Sequence, residues 1–124
     1  MSIGYTIDDK LVIATAYGPF TMDEVFLTFG KIMVDPALKP PTNVLLDARH
    51  TEHGPTNEEI EALAEHLGNL KAYFGGRWAV VAKPNTLLHH LSRMFCRLAE
   101  PHGLNVEPFS DYDAACQWLL RPDP

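Results

Sequence analysis

Hydrophobic and polar positions along this chain form short runs whose period changes several times. Ile3 to Ile7 and Lys10 to Tyr17 are β-rich stretches around the polar pair Asp8-Asp9, the pattern of an antiparallel hairpin. In the second stretch Leu11, Ile13 and Tyr17 share one face, and Val12, Ala14 and Ala16 the other. A strand apolar on both faces belongs inside a sheet. Gly18-Pro19 breaks it, and Thr21 with Glu24 supplies a capping box for a helix that carries Val25, Phe26, Phe29, Ile32 and Met33 at helical spacing. Asp35-Pro36 stops that helix, because the residue before proline is pushed out of helical geometry.

The second half repeats the alternation of strand and helix. Asn43 to Ala48 is a short apolar strand followed by a loop over Arg49 to Pro55. Thr56-Asn57-Glu58-Glu59 is another capping box, opening a helix that buries Ile60, Leu63, Ala64, Leu67 and Leu70 and runs through Tyr73-Phe74 to Gly75-Gly76. Arg77 to Ala82 reads as a buried strand. A third helix follows, with Leu87, Leu88, Leu91, Met94, Phe95 and Leu98 as its inner stripe and Gly103 at its exit. Asn105 to Phe109 is an edge strand, because Pro108 has no N–H for a ladder. Ser110 then caps a closing helix that turns Ala114, Ala115, Trp118 and Leu119 inward. The order ββαβαβαβα predicts a single α/β domain over residues 1–124: one mixed, mostly parallel five-stranded sheet with about four helices.

Composition narrows the class without naming a chemistry. The 124 residues carry a formal net charge of -6 and no basic run, which argues against a nucleic-acid partner. Cys96 and Cys116 lie in helical segments with no redox or metal spacing and read as reduced, structural thiols. The start MSIGYTIDDK has no signal-peptide pattern, and no segment reaches the ~18 apolar residues of a membrane span, so a cytoplasmic location is expected.

Several pieces, taken in order, resemble the SpoIIAA-like branch of the STAS superfamily. They are Gly18-Pro19-Phe20-Thr21 entering the first helix, Val44-Leu45-Leu46-Asp47 on the middle strand, Arg77-Trp78-Ala79-Val80-Val81 on the next, and Phe109-Ser110-Asp111 with Ala115 and Trp118-Leu119 at the end. The resemblance covers nearly the whole chain and implies a non-catalytic role: a regulatory or protein-interaction module, or lipid-like ligand binding as in Sec14-like relatives. In the anti-sigma-factor antagonists of that superfamily, a phosphorylated serine sits in an Asp-Ser-Ser-Gly-like run where the central strand's loop enters the next helix. Here the stretch reads Pro55-Thr56-Asn57-Glu58-Glu59, so Thr56 is the one phosphorylation candidate. Two carboxylates in the same turn oppose a phosphate and favour a plain N-cap.

Other candidates come from the residues themselves. Asp47 ends the middle strand, where open α/β sheets gather ligands, and Arg49 is placed to pair with it; bonding to the loop backbone is its bland role. His89, Arg93 and Arg97 fall at i, i+4 and i+8 with His90 beside them, a positive stripe that is either solvated or an anion contact. His50, His53 and His66 bracket Glu58, but no His pair stands at i and i+4, so no metal or cofactor is expected. Ser2, Ser92 and Ser110 sit in no nucleophile elbow, and enzyme activity is not expected.

Two readings remain. One is an interaction module using loops 49–56 and 84–86, for which a homodimer is compatible. The other is a binder of a small apolar ligand, or of a membrane surface, in which Tyr73, Phe74, Leu87, Leu88 and Leu91 open beside the basic stripe to admit an apolar tail.

Overall fold

A computed structural model of the chain describes residues 3–8, 11–51 and 54–122. Five strands and five helices alternate as β1 (Ile3–Asp8), β2 (Leu11–Tyr17), α1 (Met22–Met33), β3 (Asn43–His50), α2 (Asn57–Gly68), α3 (Lys71–Phe74), β4 (Arg77–Val81), α4 (Leu87–Ala99), β5 (Asn105–Phe109) and α5 (Tyr112–Leu120). A 3-10 turn over Glu100–His102 follows α4. The strands form one mixed sheet in the order β1-β2-β3-β4-β5. β1 pairs antiparallel with β2, and the pairings β2 with β3, β3 with β4 and β4 with β5 are parallel.

That order decides the layers. Each crossover moves the chain one place in the same direction, and crossovers of one hand moving one way put their helices on one face. Helices α1, α2 and α4 accordingly share the larger core with the sheet, whereas α5 lies alone on the opposite face over Leu45, Ala79 and Val81. Because the strand order never reverses, the sheet has no switch-point crevice of the doubly wound kind.

The interior and the edge assignments both hold: β2 lies between β1 and β3, and β5, with Pro108, is an edge. Both capping boxes form, Thr21 with Glu24 and Thr56 with Glu59.

Four expectations are corrected. The second helix stops at Gly68, where Asn69 turns its N–H back onto the carbonyls of Glu65, His66 and Leu67. Gly68 is also needed for the close approach of His102, since a Cβ there would stand 2.6 Å from the His102 Cβ. Leu70 is therefore a half-buried residue between helices, and Tyr73-Phe74 belong to the separate one-turn α3. Strand β3 continues two residues past Ala48, to His50, which pairs with Tyr17 across an irregularity in β2. Helix α5 is capped by Asp111, whose carboxylate accepts from the Asp113 N–H, and not by Ser110. The inner stripe of α4 excludes Leu87, which precedes the turn that faces the sheet and is 59% exposed. The tip of the first hairpin, Asp9-Lys10, lies outside the described residues.

Candidate functional site

The side chains that β2, β3 and β4 point at the three-helix layer shrink along the strands. Where the parallel strands begin, Val12, Val44, Trp78 and Val106 lie side by side. Trp78 is fully buried, donates its indole N–H to the Phe74 carbonyl at 2.8 Å, and packs with Phe29 and Phe74 at centroid distances of 5.7 and 5.9 Å. Two residues on, the row is Ala14, Leu46, Val80 and Pro108. Two further on stand Ala16, Ala48 and Ala82. The helices do not sink to follow this taper, and the gap they leave is an apolar cavity of about 120 Å³.

Ala14, Ala16, Leu46 and Val80 form its floor; Val25 and Phe29 of α1, Ile60 and Leu63 of α2, and Leu88, Leu91 and Phe95 of α4 form its walls. Phe20 and Pro55, from the loops after β2 and β3, border it at the carboxyl end of the sheet. Those two loops are tied together: Gly18 donates its N–H to the His50 carbonyl at 3.0 Å, and the Thr51 hydroxyl donates to the Gly18 carbonyl. The few polar side chains at the border are already engaged. Thr28 donates to the Glu24 carbonyl and Ser92 to the His89 carbonyl, each at 2.7 Å. No buried side-chain nitrogen or oxygen among the described residues lacks a partner. An apolar space whose polar border groups are engaged favours an apolar occupant over water, and an engineered apolar cavity of ~150 Å³ takes up benzene.

The predicted residues fall in four places. Asp47 borders the cavity, yet its carboxylate belongs to Arg49, which donates from Nε at 2.9 Å, from a terminal guanidinium nitrogen at 2.8 Å and from its backbone N–H at 3.1 Å. Burial pushes the Asp47 carboxyl up, but the bonds and charge of Arg49 outweigh it and hold the group below its ordinary value. The guanidinium in turn lies 4.5 Å over the Tyr112 ring, so the pair fastens the end of β3 to α5. This is the backbone-bonding role, extended by a tether.

Of the proposed apolar gate, Leu88 and Leu91 are buried cavity walls, Phe74 is fully buried at the aromatic end, and Tyr73 and Leu87 face solvent. The five do not come together, because α3 sits at the beginning of the parallel strands and α4 starts at their end. Thr56 is exposed, and its hydroxyl accepts the Glu59 N–H at 3.2 Å as the N-cap of α2.

His89, His90, Arg93 and Arg97 do come together, along an open groove on the outer side of α4. His53 lies outside the described residues; His50 stacks on Tyr17 at 5.5 Å and His66 sets its edge against Phe26 at 4.8 Å. Among the described residues no group of three or more His, Cys, Asp or Glu is placed to hold a metal ion, and no helix is long and apolar enough to cross a membrane.

Sequence reasoning missed the cavity, although its signal is written in the strands: Val12-x-Ala14-x-Ala16, Val44-x-Leu46-x-Ala48 and Trp78-x-Val80-x-Ala82 all start on a larger side chain and end on alanine. Comparison with known proteins found no matching family model and no matching curated protein.

Proposed function

We propose that this chain is a non-enzymatic binding module whose ligand is a small apolar molecule, or the apolar end of a larger one, held between the sheet and the three-helix layer. The supporting observation is the cavity of about 120 Å³, whose bordering polar side chains are bonded within the protein. Among the described residues no buried side-chain nitrogen or oxygen lacks a hydrogen-bond partner, and an apolar wall of this kind suits retention of an apolar ligand. The resemblance implies two jobs without catalysis, a regulatory or interaction module and lipid-like ligand binding as in Sec14-like relatives, and the second of these is the one that agrees with the cavity.

Native mass spectrometry of the chain purified from its own host, read against the denatured mass, tests this. A non-covalent increment that disappears in Ala14→Val, which fills the floor, is the expected result. A bare native mass, or an increment that Ala14→Val leaves in place, rejects the reading.

A second reading, a protein-interaction module, has one observation in its favour. Leu27 and Val34 are exposed and one heptad apart on the outer side of α1, with Gly30 between them. The remaining large exposed apolar residues are scattered over other elements, as singly exposed residues are on most surfaces.

A further inference from the structure

The outer side of α4 carries a feature that the cavity does not use. With the turn before the helix it forms an open groove bordered by Asn85, Thr86, His89, His90, Arg93 and Arg97. As part of the fold this arrangement is mixed: Arg97, in the last turn of α4, suits the helix dipole, but the rest of the stripe gains nothing from its place. Arg93 and Arg97 stand at i and i+4, where like charges repel. His89 and His90 occupy the early turns, where the helix dipole favours acidic side chains. Helices α1 and α2 obey that preference with Asp23 and Glu24, and Glu58 and Glu59; α4 has no acidic residue there.

Composition does not force the conflict, because Asp and Glu outnumber Lys and Arg by 16 to 10. Even so, Arg93 and Arg97 are exposed and make no ion pair with a described carboxylate. Two neighbouring arginines kept on one helix face without a carboxylate partner, beside a groove, have the marks of a functional site.

We propose that this groove binds a phosphate-bearing anion, carried either by a free phosphate ester or by a lipid headgroup. Two guanidinium forks one helical turn apart match the several oxygens of a tetrahedral oxyanion, each fork presenting paired N–H donors. The anion relieves the repulsion between the arginines, so binding and helix stability reinforce each other. The proposal goes beyond the cavity reading and rests on different residues. Uptake of an apolar occupant does not involve Arg93 or Arg97, and the two readings stand or fall separately.

Exposed Leu87, next to Thr86 in the chain, separates the two sources of phosphate, because a membrane-borne headgroup brings acyl chains for Leu87 to enter and a free ester does not. The test uses the full chain in two arms. In the first, inorganic phosphate is titrated against amide NMR signals, with chloride at matched ionic strength as the control. In the second, the chain is sedimented with vesicles of phosphatidylcholine alone or mixed with phosphatidic acid.

Expected are shifts confined to residues 85–97 with phosphate and not chloride, weakened at least about tenfold by Arg93→Gln with Arg97→Gln, two exposed positions whose change leaves the fold intact. If Leu87→Ser also lowers binding to phosphatidic acid vesicles, the headgroup is the source; if vesicles are ignored and phosphate still binds, the free ester is. Equal responses to phosphate and chloride with no preference for phosphatidic acid, or binding undiminished in the double variant, overturn the proposal.

Discussion

The two ends of the larger core use one architecture and fill it differently. Where the parallel strands begin, Val12, Val44, Trp78 and Val106 share one core with Phe29 and Phe74, and Phe74 stands edge to face with both Phe29, 5.4 Å away, and Trp78. Where the strands end, the same face offers alanines, and the helices span a cavity of about 120 Å³. Empty apolar volume forfeits dispersion contacts, and native cores are close-packed elsewhere. The packed end can thus supply the stability that lets the other end stay hollow, and this division of labour can be broken from either side.

The largest effect belongs to the packed end. Trp78→Ala removes a fully buried ring from among well-fixed neighbours that collapse poorly, and a loss of about 4 kcal/mol is expected. Urea denaturation measures it as a lower midpoint at unchanged slope. Gly76→Ala probes the same end by overfilling it. A Cβ at Gly76 would stand 2.7 Å from the Thr42 carbonyl oxygen, which is backbone and cannot swing aside. The expected loss is about 2 to 3 kcal/mol. A midpoint unchanged by either substitution would refute the claim that this end is the tighter one.

At the far end the tether between Asp47 and Arg49 holds β3 to α5, and Asp47→Ala is expected to lose about 2 kcal/mol near neutral pH, the scale of hydrogen bonds to charged groups. The pH dependence has a definite sign. Asp47 is held below its ordinary value of 3.8, so the unfolded chain takes up the proton before the folded one does. The contribution is complete above the unfolded value and disappears as pH falls through the lower folded value. Acid titration of the unfolding midpoint should therefore show a steeper decline in the native chain than in Asp47→Ala below about pH 4.

This contrast also explains what the residues revealed in advance. Capping boxes at Thr21 and Thr56, the turn at Gly18-Pro19 and the apolar faces of β2 and α4 are local signals, set by backbone geometry within a few residues, and they gave the order of elements. The end of α2 falls at Gly68, where His102 approaches from the 3-10 turn after α4, a meeting of residues distant in the chain. Leu87 and Leu88 are indistinguishable by hydrophobicity, and only the phase of α4 against the sheet puts one in solvent and the other in the cavity wall. The cavity itself is a property of three strands aligned in register. The alanine that ends each run was visible alone, but the sum required knowing that Ala14, Leu46 and Val80 share a row.

Filling the hollow end should stabilise the chain where filling the packed end destabilises it. Ala14→Val adds two carbon atoms to the cavity floor on a strand that favours β-branched side chains. A gain of about 1 kcal/mol is expected, near the ~0.8 kcal/mol per buried methylene of the transfer scale. The thermal midpoint of the chain freed of any occupant measures it, and a loss of stability there would mean that the space is not empty in the sense described.

Gly54→Ala makes the finest comparison, because it sets the same added methyl against a different neighbour. A Cβ at Gly54 would stand 2.5 Å from Leu91 Cδ1 and 2.9 Å from Leu88 Cδ2, the first of these closer than the Thr42 carbonyl oxygen is at Gly76, although Gly76 also crowds the Asn43 side chain. Here the obstacles are the free ends of two leucines that line the cavity, and they have room to rotate into it. The expected change in stability is within about 0.5 kcal/mol, against the 2 to 3 of Gly76→Ala, since a clash relieved into a void costs little more than a rotamer adjustment. The leucines would displace any occupant as they turn, so affinity for an apolar ligand should fall while the unfolding midpoint barely moves. A Gly54→Ala chain as destabilised as Gly76→Ala would show that Leu88 and Leu91 have no space behind them, and with that the distinction between the two ends would be lost.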